Sequence, residues 1–150
     1  MTVTTPTPSP TLTRWLATHS IDLLRVSLGI VFLGFGVLKF FPGASPAEAL
    51  VARTLGTLSL GFVEGRTAVL LTAVAECFIG ITLISGRFLR AGLLVLAASL
   101  VGIMSPLVLF FGDMFPGTPT LEAQYVFKDI VLATGGMVVA ARALGARLVP

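Results

Sequence analysis

The sequence predicts an all-α integral membrane protein, a four-helix bundle with a short amphipathic helix between the first and second spans. Of 150 residues, 55% are hydrophobic and only 11% are charged. The mean hydropathy of +1.00 belongs to chains that use lipid as solvent. Four apolar runs, residues 21–41, 67–85, 89–111 and 125–144, each have about 20 residues, enough to cross a hydrocarbon core about 30 Å thick. The third run carries no charge between Arg90 and Asp113, so it lacks the polar outer face of a soluble core helix.

Residues 1–18 open with Thr and Pro and no basic stretch. They read as a disordered tail rather than a signal peptide, leaving residues 19–147 as the transmembrane domain. Trp15 and His19 suit the headgroup boundary. In the first span, Asp22, Arg25, Gly29, Phe32, Gly36 and Lys39 recur at steps of three and four, which puts them on one helix face. A charge at the bilayer centre costs about 2.5–3.5 kcal/mol on insertion scales, so this face is expected to turn towards protein or water.

Between the first two spans, Ser45, Pro46 and Glu48 fit a capping box with proline at the first helical position. Leu50, Val51, Leu55 and Leu58 follow at helical spacing. A helix over residues 46–58 is expected, lying on the interface or folding over the bundle mouth. The five residues from Gly86 to Arg90 allow only a tight antiparallel hairpin between the second and third spans. Pro106 predicts a kink in the third span through its clash with the Gly102 carbonyl. Thr120 and Glu122 can start the last helix.

The net charge is +3, but the ten basic residues stand singly near helix ends, with no basic run or aromatic platform for nucleic acid. Arg14, Arg87, Arg90, Arg142 and Arg147 fall on one side of a four-span arrangement. That bias predicts both termini in the cytoplasm. A single cysteine, Cys77, and a single histidine, His19, exclude an internal disulfide, a cysteine zinc site and bis-histidine haem ligation. No metal site and no intrinsic cofactor are expected.

Glu76 stands about 15 Å from either end of the second span at 1.5 Å per residue, the deepest charge in the chain. Its face continues through Thr72, Ala73 and Gly80, as in closely packed membrane helices. The last span carries Tyr125, Lys128 and Asp129. Because Cβ bonds lean towards the helix N-terminus, Lys39 leans into the membrane from one direction and Glu76 and Asp129 lean towards its level. A cluster of Lys39, Glu76, Asp129 and Tyr125 is therefore expected, with Lys128 joining it or snorkelling to the surface. Such charges serve as a ligand or proton-relay site, or as interhelical pins. Arg25 is a candidate for the same site, or pairs with Asp22 near the boundary. Cys77 reads as packing.

Leu24 to Pro46 (LRVSLGIVFLGFGVLKFFPGASP), Ala75 to Arg87 (AECFIGITLISGR) and Thr120 to Leu132 (TLEAQYVFKDIVL) resemble the DoxX-like family of small bacterial membrane proteins. They resemble in particular its YkgB branch, which includes a reactive-chlorine resistance membrane protein. The resemblance implies a bundle in the bacterial inner membrane and a redox or stress context. Some relatives look like membrane subunits of quinone-linked sulfur oxidation. It points to a membrane subunit or anchor rather than an independent enzyme, with quinone as the cofactor to consider and a membrane-associated oxidoreductase as partner beside the lipid bilayer. A homo-oligomer is compatible with this. A proton-coupled or small-molecule transporter and a non-catalytic assembly factor or scaffold are the alternatives.

Overall fold

The computed structural model describes residues 10–146. Its elements are α1 (Pro10–Leu38), α2 (Glu48–Leu58), α3 (Gly65–Ser85), α4 (Leu89–Met104), α5 (Pro106–Leu109), α6 (Phe111–Met114) and α7 (Leu121–Ala143), with no strand among the described residues. Among the described residues, three segments are long and apolar enough to cross a membrane: Thr11–Leu38, Gly65–Ser85 and Leu89–Leu109. The fourth expected span, residues 125–144, lies almost wholly in α7. Its 23 residues reach about 34 Å, but Glu122, Lys128, Asp129 and Arg142 lower its apolar character. α1 packs against both α3 and α7, and α4 packs against the same two.

α1 begins eleven residues before the expected span start at Ile21, so residues 10–18, expected in the disordered tail, are helical. Leu12, Trp15 and Leu16 extend the helical spacing of apolar residues backwards. The Thr18 hydroxyl donates to the Arg14 carbonyl at 2.8 Å, and His19 Nδ1 bonds the Trp15 carbonyl at 2.9 Å. Residues 1–9 of the expected tail, and 147, lie outside the described residues.

The face picked out by its three-and-four spacing is the seam between α1 and α3. A Cβ on Gly29 would stand 2.7 Å from Ile84, one on Gly36 2.9 Å from the Cys77 sulfur, and one on Gly80 2.6 Å from Leu33 Cβ. Small residues let two helix backbones approach this closely, which compensates for the missing hydrophobic drive in lipid. At the other end of α3, Gly86 turns with φ 71° and the hairpin passes through Phe88 into α4, as the five-residue link requires. On α7, Gly135 faces Leu24 and Leu28 of α1, and Gly136 faces Leu96 of α4.

The third apolar run, expected as one span to Phe111, is interrupted at Ser105 beside Pro106 but keeps a helical path to Leu109. Pro106 opens the separate α5, and the Ser105 hydroxyl donates to the Gly102 carbonyl at 2.7 Å. The hydroxyl thus serves the acceptor that proline cannot. Thr120 caps α7 by accepting from the Ala123 amide at 3.2 Å, as expected.

α2 starts at Glu48 rather than Pro46, and the capping box does not form. Ala47 is the N-cap without a side-chain bond. Ser45 is turned inward, its hydroxyl buried without a hydrogen-bond partner, while Glu48 reaches back to the Gly43 amide at 2.7 Å. α2 packs on α3 and α4. Two apolar clusters result. Leu28, Phe32, Ile79, Leu83, Leu96 and Val139 fill the hairpin end, and Met114, Ala123 and Val126 fill the α2 end.

Candidate functional site

A cavity of about 860 Å³ lies between the two clusters, walled by α1, α2, α3, α4 and α7. Most of its walls are apolar, including Phe32, Leu50, Val95 and Leu132. Five of the six residues singled out by sequence line it: Lys39, Glu76, Tyr125, Lys128 and Asp129.

Lys39 follows the last turn of α1, where the stripe carries it onto α3. Its ammonium donates to Glu76 Oε2 at 2.7 Å, with both residues buried at 2% and 6% exposure. At an effective dielectric of about 20 this attraction is worth about 6 kcal/mol, comparable with the several kcal/mol that each ion loses on leaving water. The pair is therefore close to balance, whereas either partner alone would be an uncompensated buried charge.

Lys128 lines the cavity and is at the same time exposed at the surface. Its ammonium lies 3.5 Å from the Tyr125 ring centroid and 5.3 Å from that of Phe35, while Lys39 lies 5.8 Å from Phe35. Neither Lys128 nor Asp129 makes an ion pair within 4.0 Å among the described residues. The cavity lining thus carries two lysines and two acidic residues, of which Lys39 and Glu76 form an ion pair. Phe35 was not singled out from sequence. It stands four residues before Lys39, near the end of α1, and the turn that follows the helix keeps the two side chains together.

Arg25 does not line this cavity. It donates to the Leu83 carbonyl and to that of Ile84 at 3.3 Å, and its Nε lies 3.8 Å from Asp22. There it caps the C-terminus of α3, where free carbonyls and the helix dipole favour a cation. Cys77 packs beside Gly36.

α2 contributes Leu50, Val51, Thr54 and Leu55 to the cavity wall. Two ion pairs hold it in place. Glu48 meets Arg66 at 3.1 Å, and Arg66 also donates to the Phe40 carbonyl at 2.7 Å. Arg53 meets Asp113 at 2.5 Å and lies 3.8 Å over the Phe110 ring. These partners come from four different segments, so no spacing along the chain announced them.

No group of three or more His, Cys, Asp or Glu among the described residues is placed to hold a metal ion. In comparisons with known proteins, the DoxX family model matches residues 20–112, which include Arg25, Lys39 and Glu76 and stop before α7. No curated protein and no solved structure matches the chain.

Proposed function

The chain belongs to the DoxX family, and from that premise we propose that it is a bacterial inner-membrane protein serving as the membrane subunit or anchor of a quinone-linked or oxidative-stress redox system. In this reading α7 is the fourth span, both termini are cytoplasmic, and the cavity receives a quinone. The observation that carries it is the buried Lys39–Glu76 pair, 2.7 Å apart, in the wall of a mainly apolar cavity. A volume of about 860 Å³ suits a small-molecule site, where apolar walls take up a ring and a few polar groups orient it. Lys39, Lys128 and Tyr125 offer donors to carbonyl oxygens, and Glu76 and Asp129 can hold protons beside them. A bound quinone supplies two-electron, two-proton carrier chemistry. The YkgB-like stretches of sequence support the stress-related branch of the family.

The test is mass spectrometry of proteins and extractable lipids that copurify from native membranes in mild detergent, followed by binding of decyl-ubiquinone to the purified protein. Near-stoichiometric quinone or an oxidoreductase partner, lost in folded Glu76→Gln and Lys39→Met variants, is the expected result. A wild-type protein that carries neither and does not bind decyl-ubiquinone overturns the reading. Solute flux in proteoliposomes would then favour transport, and full function of a variant with both charges replaced would favour a scaffold.

A further inference from the structure

The cavity has two sides. On the α3 and α4 side, α2 lies across the mouth, with Leu50, Val51, Thr54 and Leu55 lining the cavity, although Leu71 of α3, at 54%, and Ala98 of α4 also line it and are exposed. The Glu48–Arg66 and Arg53–Asp113 pairs anchor it there. On the other side α1 faces α7. Towards the hairpin end this seam is shut, with Leu24 and Leu28 side chains 3.4 Å from where a Cβ on Gly135 would be. Beyond it, Val31 and Phe35 of α1 and Lys128 and Val131 of α7 all line the cavity. Val131 is 69% exposed, and the contact recorded between Phe35 and Lys128 is an ammonium over a ring at 5.3 Å.

The geometry points to the gap between α1 and α7 as a lateral portal through which an amphiphile passes directly from the bilayer into the cavity. The inference rests on reading the cavity as an amphiphile site and adds its route and the character of its ligand. Val31 and Val131 form the jambs, Phe35 offers a face for a planar ring, and Lys128 stands at the threshold as a hydrogen-bond donor with no ion-pair partner. The mainly apolar walls favour an uncharged head bearing hydrogen-bond acceptors, because a charged head would have to give up its water on entering. The apolar tail of such a molecule remains in the gap, in contact with lipid.

Two readouts on the full chain in lipid bilayers test this. A phosphatidylcholine with a diazirine in its acyl tail is photolysed and the labelled peptides are identified. Labelling of Val31 and Phe35 that is lost in Val131→Trp is expected. Labelling at Leu71 and Ala98, on the α3 and α4 side, with none at Phe35 overturns the portal. The second readout is the exchange rate of decyl-ubiquinone. Val131→Trp is expected to slow association and dissociation together, by about tenfold, with little change in Kd, while Leu94→Trp, on the exposed face of α4 outside the cavity lining, leaves both rates unchanged. The reverse ranking overturns the inference. If decyl-ubiquinone does not bind but Phe35 is still labelled, the quinone reading fails and the portal stands.

Discussion

At the residue scale the decisive unit is the Lys39–Glu76 pair. Each partner holds the other in a place where neither is stable alone. Replacing one is expected to destabilise the protein by about 3–5 kcal/mol, whereas the double replacement Lys39→Met with Glu76→Met should cost much less, because apolar groups of similar volume leave no orphaned charge. Thermal unfolding of the four proteins of this cycle in one detergent measures the coupling. Additive losses would mean that the two groups do not depend on each other. Lys39 and Glu76 were visible in the sequence because ionised residues in apolar runs stand out. Phe35 was not, since one phenylalanine among 11 carries no mark of the two lysines that approach it. Arg25 looked like a site residue for the same reason as Lys39, and only the position of the α3 C-terminus separates their roles.

At the element scale two packing arrangements matter. The α1–α3 seam depends on the absence of side chains at Gly29, Gly36 and Gly80. Gly80→Ala is expected to cost about 1–3 kcal/mol by forcing the helices apart. Gly34→Ala, at a helical position with nothing within 4 Å, is expected to be neutral or stabilising by up to about 1 kcal/mol. Equilibrium unfolding of both variants in mixed micelles makes the comparison, and equal effects would count against a glycine-dependent seam. The second arrangement is α2 and its two anchors. Arg53→Ala is expected to speed hydrogen exchange of the α2 amides while those of α1 and α3 keep their protection. Unchanged exchange in α2 would show that its apolar face, not the Arg53–Asp113 pair, holds it down. The amphipathic spacing predicted the helix itself. Its start shifted to Glu48 because Ser45 turned inward and the Glu48 side chain found Gly43 and Arg66 instead of a cap.

At the scale of the whole molecule, the α2–α3 loop and the α3–α4 hairpin lie at opposite ends of α3. Their exposed aromatic residues, Phe62 at 89% and Phe88 at 79%, report the orientation. In a Cys77→Ser background, Phe62→Cys is expected to react with a membrane-impermeant maleimide in intact cells and Phe88→Cys only after lysis. The opposite pattern would place both termini outside. The sequence by itself determined that the chain is helical and suited to lipid, where most helices run, and which residues of α1 share the face that meets α3. It did so because apolar content, span length and the 3.6-residue period are local properties. Tertiary structure alone decided that Arg25 serves a helix end, that Phe35 stands beside the two lysines and that α2 packs on α3 and α4 to line a cavity. Periodicity says which side chains point the same way, but the partner they meet depends on how helices far apart in the chain pack, and here that turns on glycine-sized clearances and on ion pairs between distant segments.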